Sequence, residues 1–414
     1  MRIISLIVVL VSSAMLATSP AAARDAHAKP KAVILIGIDG FRWDIPDRFH
    51  TPNIDMLARS GVRAEMIPVW PSLTYPNFWA IATGLYPDHN GIVANEMFDP
   101  ATGRSFRDGP FNDSRWWRGE PIWATLEKQG GKTAILSWLG SEATQGEGRP
   151  TYGMSYDPFY ARMPLNARVD TVIDLLTRGD DKRPALLTIY TPLVDDAEHA
   201  HGAESNETRD AVTQVDAMVG YLVARLKEIG AFDTTAIVIV ADHGHMDVPA
   251  GHNINVDDLV DLNRLNRVAL GSGPAMALWP QHGYVPTLPR DTDHLRMVAK
   301  GDLPKRFHNS TSDRAPPFLL VADPGYVLCV RSDLRCNAMR GMHGYDNAMQ
   351  DMHAFFLAAG PGITSGAELN SFENVDVYSL LSHLLRIKPV KTDGSIASFC
   401  RVLIPRPDGC GAVR

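Results

Sequence analysis

Asp39, Asp195, His199, Asp242, His243 and His343 are six side chains able to bind a metal ion, and they occur in four separated segments. Mixed aspartate and histidine ligands suit Zn²⁺, whereas carboxylate-rich sets suit harder ions such as Mg²⁺. A seventh side chain, Thr74, carries the central hydroxyl of Pro71-Ser72-Leu73-Thr74-Tyr75-Pro76-Asn77, between those of Ser72 and Tyr75. Pro76 suits the first position of a helix, where its missing N–H has no partner to lose. Phe78, Ile81 and Ala82 then give an apolar face, and Gly84 is a stop. Thr74 is thus expected in a turn at a helix N-terminus, where free N–H groups and the helix dipole favour an anion. A threonine there also serves as an ordinary cap. Metal coordination lets such a hydroxyl act as an alkoxide, and two ions about 4 Å apart can clamp the entering and leaving oxygens of a phosphoryl transfer.

These residues need elements that bring them together. Val33–Ile38 is a continuous apolar run typical of a strand buried on both faces, and Asp39-Gly40 follows it. Ala185–Tyr190 leads toward Asp195 and His199, and Ala236–Val240 ends at Asp242-His243. In parallel α/β sheets the carboxyl ends of strands line the ligand crevice, so these acids and histidines converge on one edge. Helices are expected at Thr51–Gly61, Ile122–Gln129, Asn166–Thr177, Glu207–Ile229 and Val377–Leu385, with a strand at Thr133–Trp138 and a last one at Ala354–Leu357. The fold class is therefore α/β, a mostly parallel central sheet with helices on both faces. Residues 246–345 break the alternation and read as a smaller inserted cap subdomain, with strand-like runs at Ala275–Trp279 and Phe318–Val321. Asp196, His201 and His245 lie beside the candidate ligands and receive no role from the pattern.

The N-terminus reads as an export signal: Arg2, the apolar run Ile3–Leu16, and the small residues Ala21-Ala22-Ala23. Residues 24–31 are a linker, 32–395 the catalytic domain, and 396–414 a tail. Removal of residues 1–23 takes away Arg2 and no acid, so the formal charge of −7 becomes −7 − 1 = −8. That balance disfavours nucleic-acid polymers as partners without excluding small phosphorylated ones. No second apolar span follows, so the mature protein is expected to be periplasmic or secreted, without membrane insertion. The four cysteines suggest two local disulfides, Cys329–Cys336 and Cys400–Cys410, although four allow three pairings.

The chain resembles the nucleotide pyrophosphatase/phosphodiesterase family of the alkaline phosphatase superfamily. The matching segments are Ile36-Gly37-Ile38-Asp39-Gly40, Pro71–Asn77, Gly91-Ile92-Val93-Ala94-Asn95, Asp195 to Gly202, Ala241-Asp242-His243-Gly244 and His343-Gly344-Tyr345-Asp346-Asn347. The resemblance implies two Zn²⁺ ions, one held by Asp195, His199 and His343, the other by Asp39, Thr74, Asp242 and His243. It implies Thr74 as nucleophile, through a threonine–phosphate ester, and Asn95 as a donor to a phosphoryl oxygen. It also implies an aromatic slot for a nucleobase, with Tyr75, Tyr190 and Tyr156 or Tyr160 as its candidates. Val194 stands where the family has proline, and Glu198 where it has a small residue. The expected activity is hydrolysis of nucleotide phosphodiester or pyrophosphate bonds, releasing a nucleoside monophosphate. A choline-lipid head-group or phosphonate hydrolase on the same site is the alternative, and a secreted, non-catalytic metal-binding module is the alternative of another class. No Cys/Ser-x-Pro-x-Arg sulfatase signature is present.

Overall fold

Seven consecutive buried residues make Ala32–Ile38 the strand around which the sheet is built, β1. The computed structural model describes residues 29–108, 113–144, 146–155, 163–270, 273–333, 336–408 and 410. The signal-like segment 1–23 lies outside them. In chain order β1 is followed by α1 (Pro52–Arg59), β2 (Gly61–Ile67), α2 (Thr74–Thr83), α3 (Ile122–Lys128), β3 (Thr133–Leu136) and β4 (Tyr152–Met154). Then come α4 (Leu165–Leu176), β5 (Leu186–Thr191), α5 (Leu193–His201), α6 (Asn206–Glu228) and β6 (Thr235–Val240). A separate antiparallel sheet follows, from β7 (Leu265–Leu270), β8 (Ala275–Pro280), β9 (Leu295–Ala299) and β10 (Phe318–Ala322), ordered β7-β8-β10-β9. It has its own small core, which includes Met276, Leu278 and Leu320. β11 (Ala354–Ala359), β12 (Phe372–Glu373) and α7 (Val377–Leu385) return to the main sheet.

The main sheet is ordered β12-β2-β11-β6-β1-β5-β3-β4. Its pairings are parallel except those of β11, which is antiparallel to both β2 and β6. α1, α4 and α5 all pack on α6, while α2, α3 and α7 pack on one another. The sheet is thus covered on both faces, which explains why β1, β5 and β6 are mostly apolar and buried at every position, without alternation.

β2 has no counterpart in the sequence reading. Its buried residues Val62, Ala64 and Met66 alternate with the charged Arg63 and Glu65, which are served by Asp47 and His353. Gly61, expected as the last residue of a helix, belongs instead to β2. α1 ends at Arg59, and a β-carbon on Gly61 would lie 2.2 Å from the Ala358 carbonyl oxygen, so the glycine permits β2 to approach β11. The two disulfides join Cys329 to Cys336 and Cys400 to Cys410, which points to an oxidising compartment. Among the described residues no helix is long and apolar enough to cross a membrane.

Helix α1 shows how distant segments are tied together. Thr51 makes no side-chain cap, and Pro52 has no N–H to offer. Asp216, buried on α6, accepts instead from the Asn53 N–H (3.0 Å), the Ile54 N–H (2.9 Å) and the Asn53 amide (2.7 Å). Asp216→Ala would leave these donors unsatisfied and is expected to cost about 1.5–3 kcal/mol of stability. Urea unfolding measures this, and a variant as stable as the parent would remove the capping role.

Candidate metal centre and active site

The carboxyl ends of β1 and β6 place Asp39 and Asp242 side by side, both buried. Each carboxylate has one oxygen held by the chain. The Tyr190 hydroxyl donates to Asp39 Oδ2 (2.6 Å), and the Gly40 N–H, at a φ of 73°, donates to Asp242 Oδ1 (3.1 Å). The other oxygens, Asp39 Oδ1 and Asp242 Oδ2, are buried without a hydrogen-bond partner. They lie 3.4 and 3.0 Å from His243 Nε2, and Thr74 Oγ1 is 3.4 Å from the same nitrogen. His243 Nδ1 is 3.1 Å from the Gly244 carbonyl oxygen, which can only accept, so Nδ1 carries the proton and Nε2 a lone pair.

A second group forms beside it. Asp195 and His199 lie one turn apart on α5, directly after β5. His343 arrives on the segment that leads into β11, whose reversed direction puts its start at the edge where the parallel strands end. His199 Nδ1 donates to the Gly341 carbonyl (3.0 Å) and His343 Nδ1 to the Ser72 carbonyl (2.8 Å). Their Nε2 lone pairs therefore face each other at 3.2 Å, and lie 3.4 and 3.6 Å from Asp195 Oδ1. Converging lone pairs and a carboxylate oxygen repel unless a cation lies among them. Zinc–nitrogen bonds of about 2.0–2.1 Å put tetrahedral ligand atoms about 3.3 Å apart. The donor spacings of both groups match that value. His245, to which the sequence gives no role, joins this group, with Nε2 3.1 Å from Asp195 Oδ1. A second histidine two residues after His243 was the available signal. Asp196 and His201 are exposed and stay outside.

Burial dominates the electrostatics. It raises Asp39 well above the usual carboxylate range, assisted by the charges of Asp242 and Asp195. Burial likewise lifts Asp242 from the ordinary 3.8 to about 8, with the Asp195 charge adding to it. Burial also opposes ionisation of Asp195, but His199, His245 and His343 overcome it and hold that carboxyl well below the usual range. Glu198 is buried, both its oxygens are unpartnered, and burial raises it strongly. His245 is pushed down to about 3, and His343 is lowered too, by burial first in each case.

Thr74 is the first residue of α2 rather than part of the preceding turn, and Pro76 is its third. The loop before it is fixed by Asn77, a residue the sequence reading left without a role. Its Oδ1 accepts from the Val69 N–H (2.7 Å), and its amide donates to the carbonyls of Pro71 (3.1 Å) and Leu73 (2.8 Å). Asn95 accepts the Tyr75 N–H at 2.9 Å, which leaves its own amide as a donor beside the helix start. Tyr75 packs edge-on against Phe106 and tilted against Trp117. Tyr190 needs correction as a face for a base. It is 1% exposed, packs edge-on against Phe78, and directs its hydroxyl to Asp39. Tyr156 and Tyr160 lie outside the described residues.

Residues 33–346 match the family described as Type I phosphodiesterase / nucleotide pyrophosphatase. An uncharacterised pyrophosphatase/phosphodiesterase of Schizosaccharomyces pombe is 32% identical over 392 residues, covering 88% of this chain and 78% of that protein. The bis(5'-adenosyl)-triphosphatase ENPP4 of Bos taurus is 30% identical over 399 residues, covering 93% and 86%. Among solved structures, an inactive threonine-to-alanine variant of murine ENPP5 in complex with AMP is similar with a TM-score of 0.83 at 29% identity, covering 90% of this chain and 100% of that one. The α/β fold is thus alkaline-phosphatase-like, as expected.

Asp39, Asp242 and Glu198 hold protons more tightly in the folded state than in the unfolded one. In metal-stripped protein they favour the fold at low pH, and that contribution is lost as pH rises toward 8. His245 and His343, lowered from 6.5, oppose the fold only below that pH. Between pH 6.5 and 8 the acids alone decide the sign, so Tm is expected to fall across this window and to recover on adding Zn²⁺. A stripped protein whose Tm rises or stays level from pH 6.5 to 8 would contradict the buried-acid geometry.

Proposed function

We propose a two-zinc phosphodiesterase reaction through a covalent threonine–phosphate for this chain, which belongs to the type I phosphodiesterase / nucleotide pyrophosphatase family. The observation that carries the reading is two adjacent groups of converging donor atoms, with the Thr74 hydroxyl at one of them and at a helix N-terminus. Asp39, Thr74, Asp242 and His243 would hold one Zn²⁺, and Asp195, His199 and His343 the other. When bound, the ions supply positive charge where oxygen anions develop and favour ionisation of the threonine hydroxyl.

The chain's own residues do the rest. The start of α2 orients the phosphoryl group through its dipole. The Asn95 amide, set by its bond to the Tyr75 N–H, donates to a non-bridging oxygen. Thr74 Oγ1 gives its proton to solvent and forms a bond to phosphorus, and the phosphorus–oxygen bond to the leaving group breaks, its electron pair leaving with that oxygen, which takes up a proton from solvent. Water then attacks phosphorus, the bond to Thr74 Oγ1 breaks, and the hydroxyl is restored as the monophosphate departs. We assign the nucleobase to the Tyr75 side of the site, where Phe106 and Trp117 pack against the Tyr75 ring and hold it in place. The relatives' names support nucleotide substrates: one is a bis(5'-adenosyl)-triphosphatase, and another was solved in complex with AMP. The signal-like N-terminus and the two disulfides support a periplasmic or secreted location.

The direct assay compares bis(p-nitrophenyl) phosphate with p-nitrophenyl phosphate, before and after chelation. The diester is expected to turn over faster, and activity to vanish on metal removal. Faster monoester turnover, or full activity after verified metal loss, would defeat the proposal. Thr74→Ala is expected to lower kcat/KM by about 10³-fold or more, roughly 4 kcal/mol of transition-state stabilisation. Asn95→Ala should cost on the order of 10²–10³ in kcat, as for other lost oxyanion donors. Parent-like rates in a folded, metal-loaded Thr74→Ala protein would exclude it as nucleophile.

A further inference from the structure

We infer that His245 is a fourth donor to the metal ion held by Asp195, His199 and His343, an inference that rests on the two-metal reading above. His245 is fully buried, and its Nε2 lies 3.1 Å from Asp195 Oδ1. The corresponding distances for His199 and His343 are 3.4 and 3.6 Å, so His245 sits nearer that oxygen than either. The four donor atoms lie within 4.8 Å of one another. A tetrahedral set around one zinc ion has edges of about 3.3 Å, and the four distances known here, 3.1, 3.2, 3.4 and 3.6 Å, bracket it.

The backbone leaves His245 little freedom to point elsewhere. Met246-Asp247 pairs with Gly341-Met342, one residue before His343, so His245 and His343 are carried by adjoining strands. Gly341 makes room for the ring, since a β-carbon there would lie 3.0 Å from His245 Nδ1. That same β-carbon would lie 2.6 Å from the Glu198 carbonyl oxygen. His245 Nδ1 is buried and has no hydrogen-bond partner. The Arg42 guanidinium fixes the backbone here, donating to the His245 carbonyl at 3.3 Å.

Four protein donors approach the closed coordination of a structural zinc, in contrast to the three donors and open position of a catalytic one. This ion is therefore held more tightly than three donors would hold it. A simpler alternative is that His245 only donates a hydrogen bond to Asp195.

Two variants separate these. His245→Phe keeps a ring without a donor, and His245→Asn keeps an N–H for Asp195 but does not reach the ion. Each is compared with the parent by circular dichroism and Tm, by zinc stoichiometry in graded chelator competition, and by the visible spectrum of the Co²⁺-substituted protein. The expected result is that both variants fold, both lose at least about 10-fold in affinity for one of the two ions, and both change the Co²⁺ bands from those of a four-coordinate site. Parent-like affinity and spectrum in His245→Asn, or in both variants, would overturn the ligand role. Failure of the parent itself to take up two ions would instead overturn the two-metal reading on which it rests.

Discussion

Asp39 and Asp242 are buried next to each other, and among the described residues neither is paired with lysine or arginine. This is the constraint around which the rest of the molecule is arranged. Two carboxylates in a poorly solvated place are unstable as anions unless protons or cations are supplied. The protein satisfies the outer oxygen of each, through Tyr190 and Gly40, and leaves the inner oxygens bare. A fold that merely tolerated buried acids would have bonded both oxygens. Selective satisfaction instead fixes the carboxylates in orientation while reserving one acceptor of each for a cation.

The scaffold serves that arrangement through sheet direction and loop stitching. Strands β1 and β6 end at one edge, and β5 delivers α5 there. The same edge receives Thr74 from the end of β2 and His343 from the beginning of β11, which is possible because β11 alone runs backward. The two loops are then joined to each other. The Ser72 hydroxyl donates to the Tyr345 carbonyl, and His343 Nδ1 donates to the Ser72 carbonyl. The loop that carries Thr74 and a histidine from the other group are thus held in register by two hydrogen bonds across separations of 273 and 271 residues.

The parts legible in the sequence were those governed by burial on both faces. β1, β5 and β6 are mostly apolar and buried throughout, Thr188, Thr191 and Thr235 included, so the positions just after them stood out. β2 did not, because Arg63 and Glu65 alternate with its apolar residues, and the charges that neutralise them come from Asp47 and His353 elsewhere in the chain. Side-chain direction was the other limit. Tyr190 and Tyr75 both lie beside chemistry in the sequence, but the period of a strand sends Tyr190 inward to Asp39, where it orients a carboxylate. His245 was hidden for a related reason. Adjacent polar residues after a strand diverge or converge according to the local pairing, and here the pairing of Met246 with Met342 decides it.

Charge accounting connects the buried centre to the kind of phosphate it suits. The two donor groups contain three carboxylates, Asp39, Asp242 and Asp195, and otherwise neutral histidines and a threonine. Two divalent ions, as proposed, set against three carboxylates and a still-protonated Thr74 would leave one net positive charge. A phosphodiester carries one negative charge and matches it. A phosphomonoester carries about −1.5 to −2 at neutral pH and exceeds it. Among the described residues no lysine or arginine forms an ion pair with these side chains to make up the difference. In a buried site such an excess is unscreened and therefore expensive. On the proposed two-ion reading a preference for diesters would follow from the ligand set itself, without any contact with the nucleobase.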